Sequence, residues 1–196
     1  MTYLETPAES PIYAQATAER GYLANYVKVF ALAPEAYAGW LALSAGVRAG
    51  MDQRRYELVT LAATRVLGSA YCGLAHATVL QGFYDDTALT AIATDHHDAG
   101  LAPVDVAIMD FAGRVAGDPK AADPAPLRAH GLDDREIFQI VLAACIRRFF
   151  SSAVDAVGAE PDEIYAGLDP ALYAAVTRQG VESASVGESR DARTAG

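Results

Sequence analysis

The chain has 196 residues, 52% of them hydrophobic and 20% charged, with a formal net charge of −10. That is enough apolar material for one domain, or for one domain built from two similar halves. The acidic balance and the lack of a Lys/Arg stripe argue against nucleic acid as a partner, and two cysteines, Cys72 and Cys145, are no disulfide framework.

Residues 1–16 read as an arm, with Pro7 and Pro11 interrupting any helix. The start MTYLETPAESP has no basic region followed by an apolar core, so no signal peptide is expected. A periodic pattern runs from about Thr17 to Ala33, through Leu23, Tyr26, Val27 and Phe30. Pro34 fits the first turn of a second helix, reaching about Arg48. Asp52 is a good N-cap for a third, about 53–67, with Leu58, Leu61, Ala62 and Val66 as its apolar positions. Further helices are expected at about 70–84, 87–96 and 103–117. The proline-bearing segment 118–131 reads as loop with one short turn. Asp133 and Glu136 form a capping-box-like start to a long helix, about 133–157. Short helices near 161–167 and 169–178 close the domain, which spans 17–179. From 180 to 196 the residues are small, polar and charged, and read as a disordered tail. No segment shows sustained strand alternation, so the fold class is all-α. No run of about 20 apolar residues is present to span a membrane, and the protein reads as cytoplasmic, where thiols stay reduced.

The chemistry concentrates in Glu57 to His76, ELVTLAATRVLGSAYCGLAH. Cys72 and His76 are four apart, so on a helix they share a face. Gly68-Ser69 breaks the preceding helix, and Ser69 suits the N-cap of the next. Cys72 then falls in the first turn, where the helix dipole and unpaired N–H groups favour a thiolate. His76 can take the thiol proton, and Glu57 can return across a tight turn to orient it. Tyr71 is placed to line a pocket or to pack as a core aromatic. The arrangement offers nucleophile, base and orienting group in twenty residues.

Glu57, then Ser69-Ala70-Tyr71-Cys72, then His76, resembles the active-site segment of the AhpD-like alkylhydroperoxidases, in the carboxymuconolactone decarboxylase superfamily. A weaker likeness extends from about Pro34 to Ile164 and points to the peroxidase-related branch. The family pattern is Glu, eleven residues, Cys-x-x-Cys, three residues, His. Here the glutamate, second cysteine and histidine fall in register, while Ser69 replaces the first cysteine. The resemblance implies an AhpD-like helical bundle and thiol redox chemistry on a hydroperoxide or other small molecule. It also implies a homo-oligomer (dimer, trimer or hexamer) and no cofactor. Since a serine cannot form a disulfide, an external thiol would have to reduce Cys72. The superfamily also contains decarboxylases, so a lyase is a second reading. A non-catalytic helical oligomer that keeps the pocket for binding is a third.

Other candidates have plainer readings. Cys145 lies in the apolar run Ala143-Ala144-Cys145-Ile146 and reads as core. Asp95-His96-His97-Asp98 looks metal-like, yet adjacent helical residues diverge and no further ligand flanks them, so solvated surface is expected. Zinc on Glu57, Cys72 and His76 would need a fourth ligand, and no second cysteine is near, so no metal is expected. Arg147-Arg148 reads as pairing with the acidic excess or lining a subunit contact. A faint echo at an offset of 79 sets Glu57 against Glu136, Cys72 against Ser151 and His76 against Asp155. A duplication that lost its chemistry and a chance likeness of amphipathic helices both account for it.

Overall fold

A computed structural model describes residues 2–178 of the protein. Its helices are α1 (Pro11–Arg20), α2 (Asn25–Phe30), α3 (Pro34–Arg48), α4 (Gln53–Leu67), α5 (Ala70–Leu80), α6 (Asp86–Thr94), α7 (Pro103–Gly117), α8 (Ala125–Ala129) and α9 (Asp134–Ala156). A last helix, α10, covers residues 170–178, and short 3₁₀ turns occupy Pro119–Ala121 and Glu163–Gly167. Among the described residues there is no strand, so the fold is all-α. The tail expected over 180–196 lies outside the described residues.

Residues 11–16, expected within the arm, instead open α1. Pro11 sits at the first helical position, where its missing N–H is no loss. The pattern expected to run from Thr17 to Ala33 is split, because Gly21 adopts φ +83° and ends α1. The site helix stops at Leu80, short of the expected 84, in a turn over residues 81–83.

Helix α4 is the axis of the domain. It packs against α5, α7 and α9, and every residue from Tyr56 to Thr64 is buried. Leu58, Val59 and Ala63 lose all exposure, and full burial of a side chain the size of the first two contributes about 1.5–3 kcal/mol. The α4–α7 approach is close: a Cβ at Gly113 or Gly117 would meet Val66 at 3.2 or 2.8 Å. Arg54 at the start of α4 makes two bonds to Asp105 at the start of α7, at 2.9 and 3.1 Å, and donates to the Tyr84 hydroxyl at 2.7 Å.

The expected absence of a membrane-length stretch needs correction at α9. This helix has 23 residues, and its most apolar 18-residue window has a mean hydropathy of 1.5, enough by length and composition to cross a membrane. In the fold it is a core helix, packed on α3, α4 and α7, and it starts with the full Asp133/Glu136 capping box. The echo at 79 residues finds no second site here. The position matching Gly68 is Arg147, inside an unbroken helix, whereas α4 and α5 are two helices joined by a turn.

Candidate active site

The α4–α5 turn builds the site. Gly68 adopts φ +70°, and the N–H groups of Gly68 and Ser69 donate to Arg65 and Thr64. This closes α4 with a glycine in the left-handed conformation that L side chains resist. The chain reverses, α5 folds back on α4, and His76 arrives beside Glu57. His76 Nδ1 lies 2.5 Å from Glu57 Oε2, with both residues buried. A carboxylate there accepts the Nδ1 proton and fixes the tautomer that leaves Nε2 as an acceptor. Nε2 is buried and has no hydrogen-bond partner among the described residues. Burial pushes the His76 pKa down, against the pull of Glu57, and the charges of Arg147 and Arg48 push it the same way. The imidazole is therefore neutral at neutral pH, the state a base requires.

Cys72 sits in the first turn of α5, buried and with a free thiol. It lines one cavity with Glu57 and His76, of about 220 Å³. Tyr26, Tyr37, Trp40, Tyr56, Tyr71, Phe150 and Tyr165 line the same cavity, together with the aliphatic Leu41, Ala75 and Val79. Trp40 stacks on Phe150 with centroids 4.2 Å apart. The three residues expected to carry the chemistry are thus brought together.

The other two expected site residues behave differently. Ser69 occupies the N-cap position of α5 but makes no capping bond. Its hydroxyl instead donates to Asp155 Oδ1 at 3.0 Å, across to α9, and it is not among the residues lining the cavity. Tyr71 does line the cavity, but its hydroxyl is engaged. It donates to Asp162 Oδ2 at 2.6 Å and accepts from the Tyr26 N–H at 3.2 Å, tying α5 to α2 and to the segment before Glu163.

Cys145, expected in the core, is exposed on α9. Helix phase explains the difference: Ala143, Ala144, Ile146 and Arg147 take the buried positions around it. His96 is also not solvated surface. It is buried, and its Nε2 meets Asp110 of α7, 14 residues along the chain, at 2.8 Å. His97 remains exposed, between Asp95 at 2.9 Å and Asp110 at 3.2 Å. Ligand atoms of Asp95, His96 and His97 lie within 4.8 Å of one another. The two carboxylates hold His97 protonated to higher pH than an ordinary imidazole, through its bonds to Asp95 and Asp110.

Arg147, expected to pair with the acidic excess or to line a subunit contact, has no ion pair among the described residues. It is buried and faces the cavity, while Arg148 turns outward and donates to the Ala116 carbonyl at 3.1 Å. The signal was in the spacing: Ile140, Ala143, Ala144, Arg147, Ser151 and Val154 form the buried face of α9, and one member carries a charge.

The chain matches no protein-family model and no curated protein. It does match solved structures. One is an uncharacterized peroxidase-related protein from Silicibacter sp. TM1040, at 22% identity and a TM-score of 0.75, over 85% of this chain and 95% of that one. Another is the alkylhydroperoxidase AhpD core of an uncharacterized peroxidase-related protein from Ralstonia eutropha JMP134, at 20% identity and a TM-score of 0.74, over 84% and 94%. A third is a cysteine-to-alanine variant of the debrominase Bmp8 in complex with 2,3,4-tribromopyrrole, at 14% identity and a TM-score of 0.67, over 90% and 97%. What the chain shares with them is the backbone: it has the AhpD-like all-α fold.

Proposed function

We propose that the protein carries out thiol-based redox chemistry at Cys72, with His76 moving the proton and Glu57 orienting His76. The observation that supports this most is the Glu57 bond to His76 Nδ1, which leaves a buried, unpartnered Nε2 in the cavity that Cys72 lines. A neutral imidazole with a free Nε2 takes the thiol proton. The thiolate attacks the terminal oxygen of a hydroperoxide, the O–O bond breaks, and the imidazolium returns its proton to the departing alkoxide. The products are a Cys72 sulfenic acid and an alcohol. Two equivalents of an external thiol then reduce the sulfenic acid, giving water and a disulfide of that thiol, because Ser69 supplies no second sulfur. Proton transfer by a positioned group contributes about 10²–10⁴-fold to such a step.

A second reading keeps the thiolate and changes the electrophile. The aromatic walls suit an unsaturated ring, and Bmp8, a debrominase, shares the fold. The thiolate would then take a ring halogen as the carbon–halogen bond breaks, the ring carbon would take the imidazolium proton, and two equivalents of an external thiol would return Cys72 to the thiol, releasing hydrogen halide and the disulfide of that thiol.

Intact-mass analysis after a dose of cumene hydroperoxide, with a sulfenic-acid trap present, tests the first reading. One trapped oxidation, mapped to Cys72 and lost in Cys72→Ala, is the expected result. Labelling confined to Cys145, or none, would overturn it.

A further inference from the structure

We infer that the cavity recognises a small unsaturated carboxylate, with its anionic group held by Arg147 and its reacting end turned to Cys72 and His76. This rests on the thiol-chemistry reading and names the body of its substrate, a carboxylate whose far end carries the hydroperoxide. Arg147 is only 5% exposed, and no carboxylate pairs with it among the described residues. Its Nε has no hydrogen-bond partner there either. Glu57, the buried carboxylate of the cavity, is taken by His76. Glu19 is exposed and accepts from Gln15. Arg147 does touch aromatic faces: its guanidinium carbon is 5.1 Å from the Phe150 centroid and 6.0 Å from that of Trp40. Those contacts cover the flat face of the group. Its N–H donors lie in the plane and need acceptors, which a carboxylate matches in a bidentate fork.

A buried cation without a counter-ion is unfavourable in a fold that could have placed an aliphatic residue there. The cost is understandable where a ligand supplies the charge. Arg20 and Arg48 also line the cavity and are exposed, so three arginines face two glutamates in a chain of net charge −10. Trp40 adds an Nε1 donor that is buried without a partner. Seven aromatic side chains share the wall with Leu41, Ser44, Ala75 and Val79, and the rings suit a flat, unsaturated body. An apolar cavity of about 150 Å³ holds benzene, and the space of about 220 Å³ here holds a ring or diene with a short substituent.

Calorimetry on the full chain, with benzoate and the neutral isostere benzamide as probes, tests the inference. Benzoate should bind about tenfold more tightly or better, and it should slow alkylation of Cys72. Equal binding of the two probes, or heat from neither at millimolar concentration, would overturn the proposal. Arg147→Met should erase the preference. Arg48→Met, at the exposed mouth, should change it less, and this variant with the wild-type ratio still decides the matter should Arg147→Met not fold. If Arg147→Met keeps the benzoate preference but raises the pH midpoint of Cys72 alkylation, the cation serves the thiolate and the substrate assignment falls. The oxidation assay fails independently: a benzoate preference without a trapped sulfenic acid removes the redox reading and leaves the binding site standing.

Discussion

Arg54 and Arg147 are both drawn into this fold, and their surroundings differ. Arg54 has a bidentate bond to a buried aspartate and a tyrosine hydroxyl as a further acceptor, and its guanidinium holds its proton more firmly than usual, chiefly through Asp105. It joins the start of α4 to the start of α7, and nothing reactive lies beside it. Arg147 has only aromatic faces, beside a thiol and an imidazole whose Nε2 is also unpartnered. A charge whose partner comes from the chain holds helices together, and one left open inside a cavity marks a place for something else. The same distinction separates His97, bonded to carboxylates through both ring nitrogens, from His76, bonded through one.

The largest effects should fall on the open end and leave stability nearly untouched. Cys72→Ala should abolish trapped sulfenic acid while the thermal midpoint moves by no more than a few degrees. Glu57→Gln keeps an acceptor for Nδ1 but removes the charge that supports the imidazolium. It should slow peroxide-driven oxidation of Cys72 by about 10²-fold, read by stopped-flow or timed quench. An unchanged rate would remove Glu57 from the mechanism.

The paired end should respond in the opposite sense. Asp105→Ala leaves Arg54 without its partner. Breaking a buried pair costs about 3–5 kcal/mol, and with Arg54 one-third exposed we expect about 2–3 kcal/mol in a urea titration. Arg147→Met should cost less than about 1 kcal/mol, or stabilise, because a flexible apolar side chain replaces an unpaired cation. If Arg147→Met proves the more damaging, the contrast between the two arginines is wrong.

Acid should reach the cavity first. The folded pKa of His76 is depressed, so below about pH 6.5 the unfolded chain binds the proton that the folded one refuses. Stability linked to His76 is complete above that pH and declines as pH falls toward the folded value. His76→Gln should flatten the decline between about pH 6.5 and 5 in chemical denaturation. A mutant curve parallel to wild type would show that His76 does not titrate there.

Much of this was legible in the sequence, and the rest had physical reasons not to be. The bounds of α3, α4 and α7 follow from Pro34, Asp52, Gly68 and Pro103, because proline at the first turn, an aspartate cap and a left-handed glycine are local devices. The meeting of Glu57, Cys72 and His76 was legible for the same reason, since only one turn separates their helices. Pro11 was misread because a proline that breaks a helix also starts one. Arg147 was read as one of a charge-pairing or contact-lining pair and Asp110 was missed, because their surroundings depend on which distant helix lies opposite. Ser69 is the sharpest instance: its backbone sits where the sequence put it, while its hydroxyl bonds a partner 86 residues away.

The smallest change tests that serine. Ser69→Cys loses the hydroxyl bond to Asp155, a half-buried carboxyl whose pKa burial already raises and Ser69 lowers. The loss should cost about 1 kcal/mol and raise the Asp155 pKa further. No N-cap bond is lost, because Ser69 makes none. The new thiol stands three residues before Cys72, at the first turn of α5, and oxidation should join the two sulfurs, visible as a loss of two hydrogens by mass. The new thiol then takes the place of the external thiol as the first electron donor to the sulfenic acid, condensing with it to the disulfide and water, and turnover with a dithiol reductant should rise. If the disulfide forms and turnover does not, the reductant was never the missing part. The aromatic, arginine-lined cavity would then have to be read as built for an electrophile other than a peroxide, with Arg147 choosing it.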